Sequence, residues 1–551
     1  MKTRWLGPVL AGALLGAAAW LPAQAAGAAV DQRLISPQQA RELAGKEWGA
    51  SAAGQYLAGR LAQSERDYGS AADYLEGALS WDPNNLDLRR RVFLLMLAEG
   101  RLADALPHAY PLARDGSDPM LPAIAQAAAA MREGDYEAAL KHFGTLDNAG
   151  VAGLIRLLGQ AWALVGKGDI AAARASLGFS ADQAQWRGLI GVHQALIEDV
   201  GGGGAAAAYS ALARNDDVKS ARAAALFENF RVRQSDSSVE PLVATAEDGL
   251  GEAFFSIAAA LNQGDRDLSA LIYGQIGLNI APDNDLLRLL VAEVIAGQGR
   301  YEDAAAMFAT IPEGSPYRYD AQIARARNLA RADMADEAVS VLRNLSAADP
   351  SKAEAASLLG DVLRGEARFD EAVAAYDEAA ARIGEMTADH WRLLYSRGIA
   401  LERSGKWARA ESDLRAALAF NEDEAYILNY LGYSWIDRGE NLEQAEQMVR
   451  RAAELRPQDG FIADSLGWVY YRTGRYAEAV AELERAVTLE PLDPVINEHL
   501  GDAYWQVGRK TEARFQWRRA LNLEPEADLI PVLEEKLRCG VDRCAMAGKT
   551  D

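Results

Sequence analysis

Apolar residues recur at a fixed interval along this chain, most clearly near its C-terminus. The stretch SLGWVYYRTGRYAEAVAELERAVTLEP, from Ser465 to Pro491, is followed 34 residues later by a stretch with the same spacing. The matching positions are Leu466, Gly467, Tyr470, Ala479, Leu483, Ala486 and Pro491 in the first copy, and Leu500, Gly501, Tyr504, Ala513, Trp517, Ala520 and Pro525 in the second. No run of alternating polarity competes with this pattern, so the sequence predicts helices and no strands.

A 34-residue period with this residue order resembles the tetratricopeptide repeat (TPR) family. The resemblance implies an all-α fold, a TPR α-solenoid of about fourteen helical hairpins with a long concave side. Four clear repeats contain Gly398, Gly432, Gly467 and Gly501. Weaker repeats are predicted to begin near Ala52, Leu86, Met120, Leu154, Gly188, Asp217, Gly251, Asp285, Tyr319 and Ala353.

The repeated residues have physical roles in such a hairpin. Gly467 and Ala479 are expected to face each other across two antiparallel helices, where larger side chains would hold the backbones apart. Leu466, Tyr470 and Leu483 are expected to fill the space between neighbouring pairs. Pro491 ends the second helix, because it lacks a backbone donor and restricts the residue before it.

The pattern predicts several segments after a leader. We expect an N-terminal helical segment at 26–51, an N-terminal TPR-like array at 52–216, a degenerate repeat or joint at 217–250, a C-terminal TPR array at 251–527, and a capping helix with a tail at 528–551. Four consecutive glycines at 201–204 favour a flexible or distorted joint over residues 201–240. A long loop inside one rigid array is the alternative.

The first 25 residues have the order of a secretory signal peptide. Lys2 and Arg4 precede an uncharged apolar run from Leu6 to Trp20, and Ala23-Gln24-Ala25 forms a small-residue cleavage site. A membrane anchor or a buried helix is the alternative. We therefore expect a cleaved leader at 1–25 and a soluble periplasmic protein. No cysteine lies near the cleavage site and no later apolar run is long enough to span a bilayer, so neither a lipid anchor nor a transmembrane segment is expected.

The net charge and the sequence motifs limit the ligands and reactions that are expected of this chain. The net charge of -22 disfavours nucleic-acid binding. The five histidines form no metal-binding spacing, and no nucleophile or phosphate-loop motif occurs, so we expect no enzyme and no cofactor. Cys539 and Cys544 are the only cysteines, and in an oxidising compartment they predict one disulfide in the tail. Free thiols and a metal site are the alternatives.

Aromatic residues provide the candidate binding site. First helices of TPR hairpins line the concave surface, and Tyr, Trp and Arg are enriched where proteins bind each other. One face of these helices gives a candidate partner-binding groove for a protein or peptide: Arg403, Tyr426, Asn429, Tyr430, Tyr433, Phe461, Trp468, Tyr471, Arg472 and Trp505. Tyr433 and Trp468 fit packing between repeats equally well. Tyr426, Tyr471 and Trp505 are expected to be exposed.

The segment from Ala425 to Pro525 shows a closer resemblance. Its DRGENLEQA turn, its DSLGW motif and its HLGDAYWQVGR repeat are similar to the LbcA-like envelope adaptors that dock onto carboxyl-terminal processing proteases. The resemblance implies a scaffold that recruits a periplasmic protease or presents its substrates. Those adaptors carry a lipid-modified cysteine that this chain lacks. A scaffold of an envelope assembly or exopolysaccharide-export machine is the alternative.

Overall fold

A computed structural model describes residues 51–116, 119–178, 186–213, 221–236, 238–262 and 267–541. The regular structure of these residues is helical throughout. They form two compact units, one that extends to Met334 and one that begins at Ala335. The all-α TPR solenoid predicted from the sequence is confirmed. The predicted leader at 1–25 and the predicted N-terminal helical segment at 26–51 lie outside the described residues, except for Ser51.

The first unit contains sixteen described helices. They are α1 (Ala52–Ser64), α2 (Tyr68–Trp81), α3 (Leu86–Ala98), α4 (Leu102–Asp115), α5 (Met120–Arg132), α6 (Tyr136–Gly144), α7 (Gly150–Gly166), α8 (Ile170–Ser176), α9 (Arg187–Val200), α10 (Ala205–Ala213), α11 (Ala221–Arg233), α12 (Ala246–Asn262), α13 (Asp267–Ile280), α14 (Asp285–Gly297), α15 (Tyr301–Ala309) and α16 (Arg318–Arg331).

The second unit contains twelve described α-helices and one 3-10 turn (Ala388–His390). The helices are α17 (Ala335–Ala348), α18 (Glu354–Gly365), α19 (Phe369–Ile383), α20 (Trp391–Arg403), α21 (Trp407–Phe420), α22 (Ala425–Arg438), α23 (Leu442–Leu455), α24 (Gly460–Arg472), α25 (Tyr476–Leu489), α26 (Pro494–Gln506), α27 (Lys510–Asn522) and α28 (Leu529–Cys539). The repeat predicted near Tyr319 is divided between the units, with α16 in the first and α17 in the second.

The turn inside each hairpin requires a left-handed backbone. Gly474 has a φ of 77° between α24 and α25, and Gly508 has a φ of 84° between α26 and α27. Glycine adopts this conformation without a steric penalty. Asp333 and Ala367 occupy the same turn position of other repeats with φ of 58° and 54°. The weaker repeats thus keep the turn geometry without the glycine.

Within a hairpin the two helices approach closely, but the residue nearest to Gly467 is Leu483 and not the predicted Ala479. A Cβ atom added to Gly467 would lie 2.5 Å from Leu483 Cγ, and one added to Gly501 would lie 2.4 Å from the Trp517 ring. The residue seated against the glycine is therefore the large one of the second helix, and the small Ala479 is fully buried beside it. A large side chain on the second helix thus packs against a glycine on the first helix and holds the two helices of the hairpin close together.

In the first unit, α12 and α13 pack across the first helices of the N-terminal repeats. Helix α12 contacts α7, and α13 contacts both α5 and α3. The alanine-rich face of α5, from Ala123 to Met131, is buried throughout. Trp162 of α7 is also fully buried, and a Cβ on Gly249 of α12 would lie 2.3 Å from its ring. The chain's own helices therefore fill a face that a TPR array commonly offers to a partner.

Polar contacts also join the N-terminal repeats to the segment that runs from Glu247 to Arg300. Tyr136 donates to Glu247 at 2.8 Å, Asn279 donates to the carbonyl of Gly100 at 3.0 Å, and Arg300 donates to Glu99 at 2.7 Å. These pairs are separated by more than 100 residues in sequence. Residues from the predicted N-terminal array and from the start of the predicted C-terminal array thus belong to one compact unit, and the second unit begins after Met334 in the sequence.

Helix α11 lies in the predicted joint and is held by buried charges. Arg222 donates to both carboxylate oxygens of Glu252, at 2.9 and 2.7 Å, and Arg233 pairs with Asp199. Glu252 also lies near His193, whose ring accepts a hydrogen bond from Trp162 at 3.0 Å. Burial lowers the pKa of His193 to about 4, so this histidine is neutral at pH 7. A flexible joint over 201–240 stays a prediction.

We expect Gly249→Ala to loosen the packing of α12 on α7. The added methyl group collides with the buried Trp162, so this contact should lose about 1–3 kcal/mol despite the better helix propensity of alanine. Hydrogen exchange measured on peptides from α7 and α12 reports the loss locally. Gly297→Ala is the matched control, because nothing lies within 4 Å of a Cβ there. Equal protection in both variants would contradict the packing described.

Candidate partner-binding face

Four successive first helices of the second unit, α20, α22, α24 and α26, carry the predicted groove residues. We call this surface the aromatic face. Its members are Arg403 on α20, Tyr426, Asn429, Tyr430 and Tyr433 on α22, Phe461, Trp468, Tyr471 and Arg472 on α24, and Trp505 on α26. Tyr426 and Phe461, Tyr433 and Trp468, and Tyr471 and Trp505 occupy equivalent positions of successive repeats.

The tyrosines of α22 differ in their surroundings. Tyr430 donates to Glu402 at 3.0 Å and stands edge-on to Tyr395, with ring centroids 6.1 Å apart. It therefore joins α22 to α20 and serves mainly in packing. Tyr426 and Tyr433 are half-buried. Burial, with Asp459 adding to it, raises the pKa of the Tyr426 hydroxyl, so this ring remains neutral at pH 7.

On α24, Trp468 lies at the centre of a stack of three rings. Tyr471 covers one face with a centroid distance of 4.7 Å and an interplanar angle of 8°, and His499 stacks at 4.0 Å and 15°. The Trp468 Nε1 atom is buried and has no hydrogen-bond partner. Phe461, at the start of the same helix, is 42% exposed. The alternative that Trp468 packs between repeats is thus supported, and Phe461 is the most accessible ring of α24.

The two arginines of the aromatic face contact residues outside that face. Arg472 donates to Asp437 at 3.2 Å and so ties α24 to α22. The Arg403 guanidinium lies over the Phe369 ring, 5.2 Å from its centroid. Asn429 is half-buried, and its Oδ1 atom has no hydrogen-bond partner.

Trp505 is buried, so the expectation that it is exposed is wrong. Only 7% of its surface is accessible, and its ring lies 5.4 Å from that of Trp517. A Cβ on Gly540, which follows α28, would lie 2.0 Å from the Trp505 ring. The end of the capping helix therefore covers Trp505, and this residue belongs to the packing of the last repeat.

A cluster of buried charges lies beneath the C-terminal end of the aromatic face. We call it the buried charge cluster, and its members are Asp464 on α24, Glu498, His499 and Asp502 on α26, and Lys536 on α28. His499 contacts Asp464 at 2.9 Å, and Lys536 contacts both Glu498 and Asp502, the latter at 2.7 Å. Removal of one partner from such a cluster leaves a buried charge uncompensated, which typically costs about 3–5 kcal/mol.

The buried charge cluster raises the pKa values of His499 and Asp502. Burial lowers the pKa of His499, but Asp464 and the carboxylates of α26 outweigh it and raise that pKa to about 9. Burial and the nearby Glu498 raise the pKa of Asp502 to about 6 against the effect of Lys536. His499 is therefore protonated at pH 7, and its cationic ring stacks on Trp468. A cation on an indole face is a favourable contact, so the charge fixes the position of Trp468.

The sequence reading missed this cluster. Its signal was weak but present: Asp464 and Glu498 stand 34 residues apart, and both lie just before a Leu-Gly pair whose neighbours are normally packed inside. Charged residues at such positions indicate burial with a partner. Lys536 could not be paired with them from the sequence, because the register of the capping helix has no repeat to fix it.

The tail is described only in part. Cys539 ends α28 with its Sγ atom 3.1 Å from the carbonyl oxygen of Glu535. Cys544 lies outside the described residues, so the disulfide stays a prediction. Among the described residues, no group of three His, Cys, Asp or Glu side chains is placed to hold a metal ion. No helix in the described ranges has the length and apolarity needed to cross a bilayer.

The raised pKa of His499 predicts a pH-dependent contribution to stability. Since the folded pKa of about 9 exceeds the ordinary value of about 6.5, the contribution is fully present below pH 6.5 and is lost as the pH rises through 9. NMR titration of the imidazole signals should show one histidine with a midpoint near 9 that disappears in His499→Gln. Asp464→Asn should lower that midpoint by more than about one unit. A midpoint near 6.5 for His499 would contradict the cluster.

Comparison with known proteins identifies the repeats. Models described as "Tetratricopeptide repeat" match residues 52–85, 323–385, 395–460 and 465–522. A curated relative, the TPR repeat-containing protein PA4667 of Pseudomonas aeruginosa, is 40% identical over 87 residues, which are 16% of this chain and 15% of that protein. The match thus spans about one seventh of the relative's length.

Solved structures give more distant similarities. The APC/C hetero-tetramer Cut9-Hcn1 has a TM-score of 0.38 and 17% identity, and the alignment covers 89% of this chain and 96% of that one. A tetratricopeptide repeat protein from Parabacteroides merdae has a TM-score of 0.39 and 16% identity over 46% of this chain and 96% of its own. At these TM-scores the likeness says nothing about partners. The matched segments of this chain are tetratricopeptide repeats, the repeat of a family of protein-binding scaffolds.

Proposed function

We propose that the second unit binds a peptide segment of a partner protein along the aromatic face. The observation that carries the proposal is the row of rings left partly accessible on adjacent helices: Tyr426 and Tyr433 on α22, then Phe461 and Tyr471 on α24. Rigid aromatic rings bury a large area on binding at a small cost in conformational entropy.

The spacing of the helices suits an extended chain. Neighbouring packed helices lie about 8–10 Å apart, so a ligand that crosses α22, α24 and α26 spans about 20 Å. An extended peptide rises about 3.3 Å per residue, and six residues would cover this distance. The ring of Tyr426 would then contact a side chain near one end of such a segment, and the ring of Phe461, on the middle helix, a side chain near its centre.

The partner we favour is a carboxyl-terminal processing protease of the cell envelope, or one of its substrates. Support comes from the resemblance of residues 425–525 to the LbcA-like adaptors and from the leader-like sequence of residues 1–25. The aromatic face lies inside the resembling segment, except for Arg403. In this role the chain is a periplasmic adaptor and performs no catalysis itself.

The binding test uses the two outward rings. Tyr426→Ala combined with Phe461→Ala should weaken binding of the processing protease from the same organism by at least about tenfold, because hot-spot rings contribute more than about 1.4 kcal/mol. Affinity is measured by calorimetry on the purified chain. Phe515→Ala is the control, since this ring is 62% exposed on α27, a second helix.

Two outcomes would count against the proposal. If wild-type chain and protease do not associate, the protease is not the partner. If they associate and the double variant binds as tightly as wild type, the aromatic face is not the site. Substitution of Trp468 and Tyr471 is a poorer test, because these rings stack on His499 and their loss disturbs the buried charge cluster as well.

Export is tested separately. We expect the protein to appear in the periplasmic fraction with a mature N-terminus at Ala26, because the small-residue site ends at Ala25. Intact-mass measurement of the native protein checks both the compartment and the cleavage site. Recovery with Met1 retained in the cytoplasmic fraction would remove the envelope part of the proposal and leave the aromatic face untouched.

A further inference from the structure

Helix α27 is the one basic helix among the second helices of the hairpins described for the second unit. It has a net charge of +3, although the chain as a whole has a net charge of -22. Its charged residues are Lys510, Glu512, Arg514, Arg518 and Arg519. The other five second helices, α17, α19, α21, α23 and α25, are each neutral or negatively charged. The positive charge is therefore a feature of this one helix and does not come from the repeat pattern.

Three of the cations form a stripe along α27. Lys510, Arg514 and Arg518 follow one another at intervals of four residues, so they lie on one side of the helix over about 12 Å. All three are exposed, and no acidic side chain in the described parts of the chain lies within ion-pair distance of them. Glu512, the acid of this helix, is bound by Arg509 at 3.1 Å. The stripe therefore presents unpaired positive charge to solvent.

A phenylalanine lies beside the stripe. Phe515 directly follows Arg514, stands three residues before Arg518 and is 62% exposed. The equivalent positions of the five preceding second helices hold small or polar residues: Ser340, Ala374, Ser412, Gln447 and Ala481. The packing of the repeat therefore does not require an aromatic ring here. A single exposed ring is common on protein surfaces, but this one is combined with unpaired arginines, and that combination is typical of helices that bind lipid surfaces.

The buried Trp505 ring holds two members of the stripe in place. The Lys510 ammonium lies 4.8 Å and the Arg514 guanidinium 5.2 Å from the centroid of this ring. Such cation–π contacts are favourable, and Trp505 is itself fixed between Trp517 of α27 and the end of α28. The Arg518 side chain makes no hydrogen bond, ion pair or ring contact with the described residues. The stripe is thus partly ordered before any ligand binds, which lowers the entropy lost on binding.

We propose that the outer face of α27 binds a bilayer that contains anionic phospholipids. Lys510, Arg514 and Arg518 pair with the phosphates of the headgroups. The Phe515 ring enters the boundary between the headgroups and the acyl chains, while the long arginine side chains reach back to the phosphates.

A bilayer suits this face better than an acidic protein segment does. First helices line the concave side of a TPR stack, so α27, a second helix, belongs to its outer side. A ring that projects from an outer side reaches a bilayer without a matching pocket, whereas aromatic rings at protein interfaces bind in well-packed pockets. The site uses no residue of the aromatic face, so the inference does not depend on the proposed function.

The negative charge of the rest of the chain weakens this contact without preventing it. At physiological ionic strength the screening length is about 8 Å, so charges farther than this from the headgroups contribute little. The stripe touches the headgroups and therefore dominates the interaction. Its own attraction is screened as well, so binding should weaken as the salt concentration rises.

The experiment uses the mature full chain and measures its sedimentation with vesicles. We expect binding to vesicles of phosphatidylcholine and phosphatidylglycerol mixed at about 2:1, and at least about tenfold weaker binding to phosphatidylcholine alone. Arg518→Gln should weaken binding to the mixed vesicles about fivefold, because it removes one cation from the anionic surface. Phe515→Ala should weaken it by at least about threefold and leave the salt dependence unchanged, because the ring carries no charge.

Arg114→Gln is the matched control, since Arg114 is an exposed residue of α4 and its loss changes the net charge equally. Circular dichroism checks that each variant is folded. The proposal would be overturned by a lack of binding to the mixed vesicles, by equal binding to both kinds of vesicle, or by an Arg114→Gln effect as large as that of Arg518→Gln. Binding of poly-glutamate in place of the vesicles would overturn the lipid assignment and indicate an acidic protein partner.

Discussion

The packing of a large side chain against a glycine on the facing helix is the contact on which this structure depends. The contact occurs between Leu483 and Gly467, between Trp517 and Gly501 and, in a weaker repeat, between Tyr376 and Gly360. The contact brings two backbones close enough for their side chains to interlock. Each closed hairpin then leaves one apolar side that the next hairpin covers, so the same contact sets both the pair and the stack.

The contact between Trp162 and Gly249 applies this rule beyond neighbouring repeats. A tryptophan on one first helix is seated against a glycine that follows about ninety residues later, and the alanines of α5 provide the same close approach to α13. In the first unit, therefore, helices α12 and α13 of the same chain cover much of the face that an open repeat array offers to partners. The face of the second unit keeps a row of accessible rings.

Periodicity explains how far the sequence could predict this structure. A 34-residue repeat specifies the contacts between neighbours, and the hairpins and the close approach at Gly467 followed from it. It carries no information on contacts between distant repeats, so the packing of α12 and α13 was not foreseen. Trp505 was placed at the surface for the same reason: the helix that covers it stands after the last repeat, where no period fixes its register. The burial of His499 could not be predicted, because a single histidine forms no repeated pattern in the sequence.

The packing of α12 and α13 has a consequence for how the chain folds. In an open repeat array each unit needs only its neighbours, so folding can begin anywhere and spread along the chain. Here the alanine-rich side of α5 stays uncovered until a segment more than 130 residues further along the chain reaches it. Closure over such a separation costs loop entropy before any contact repays it, which slows folding. The first unit is thus built from repeats but must fold in the manner of a globular domain.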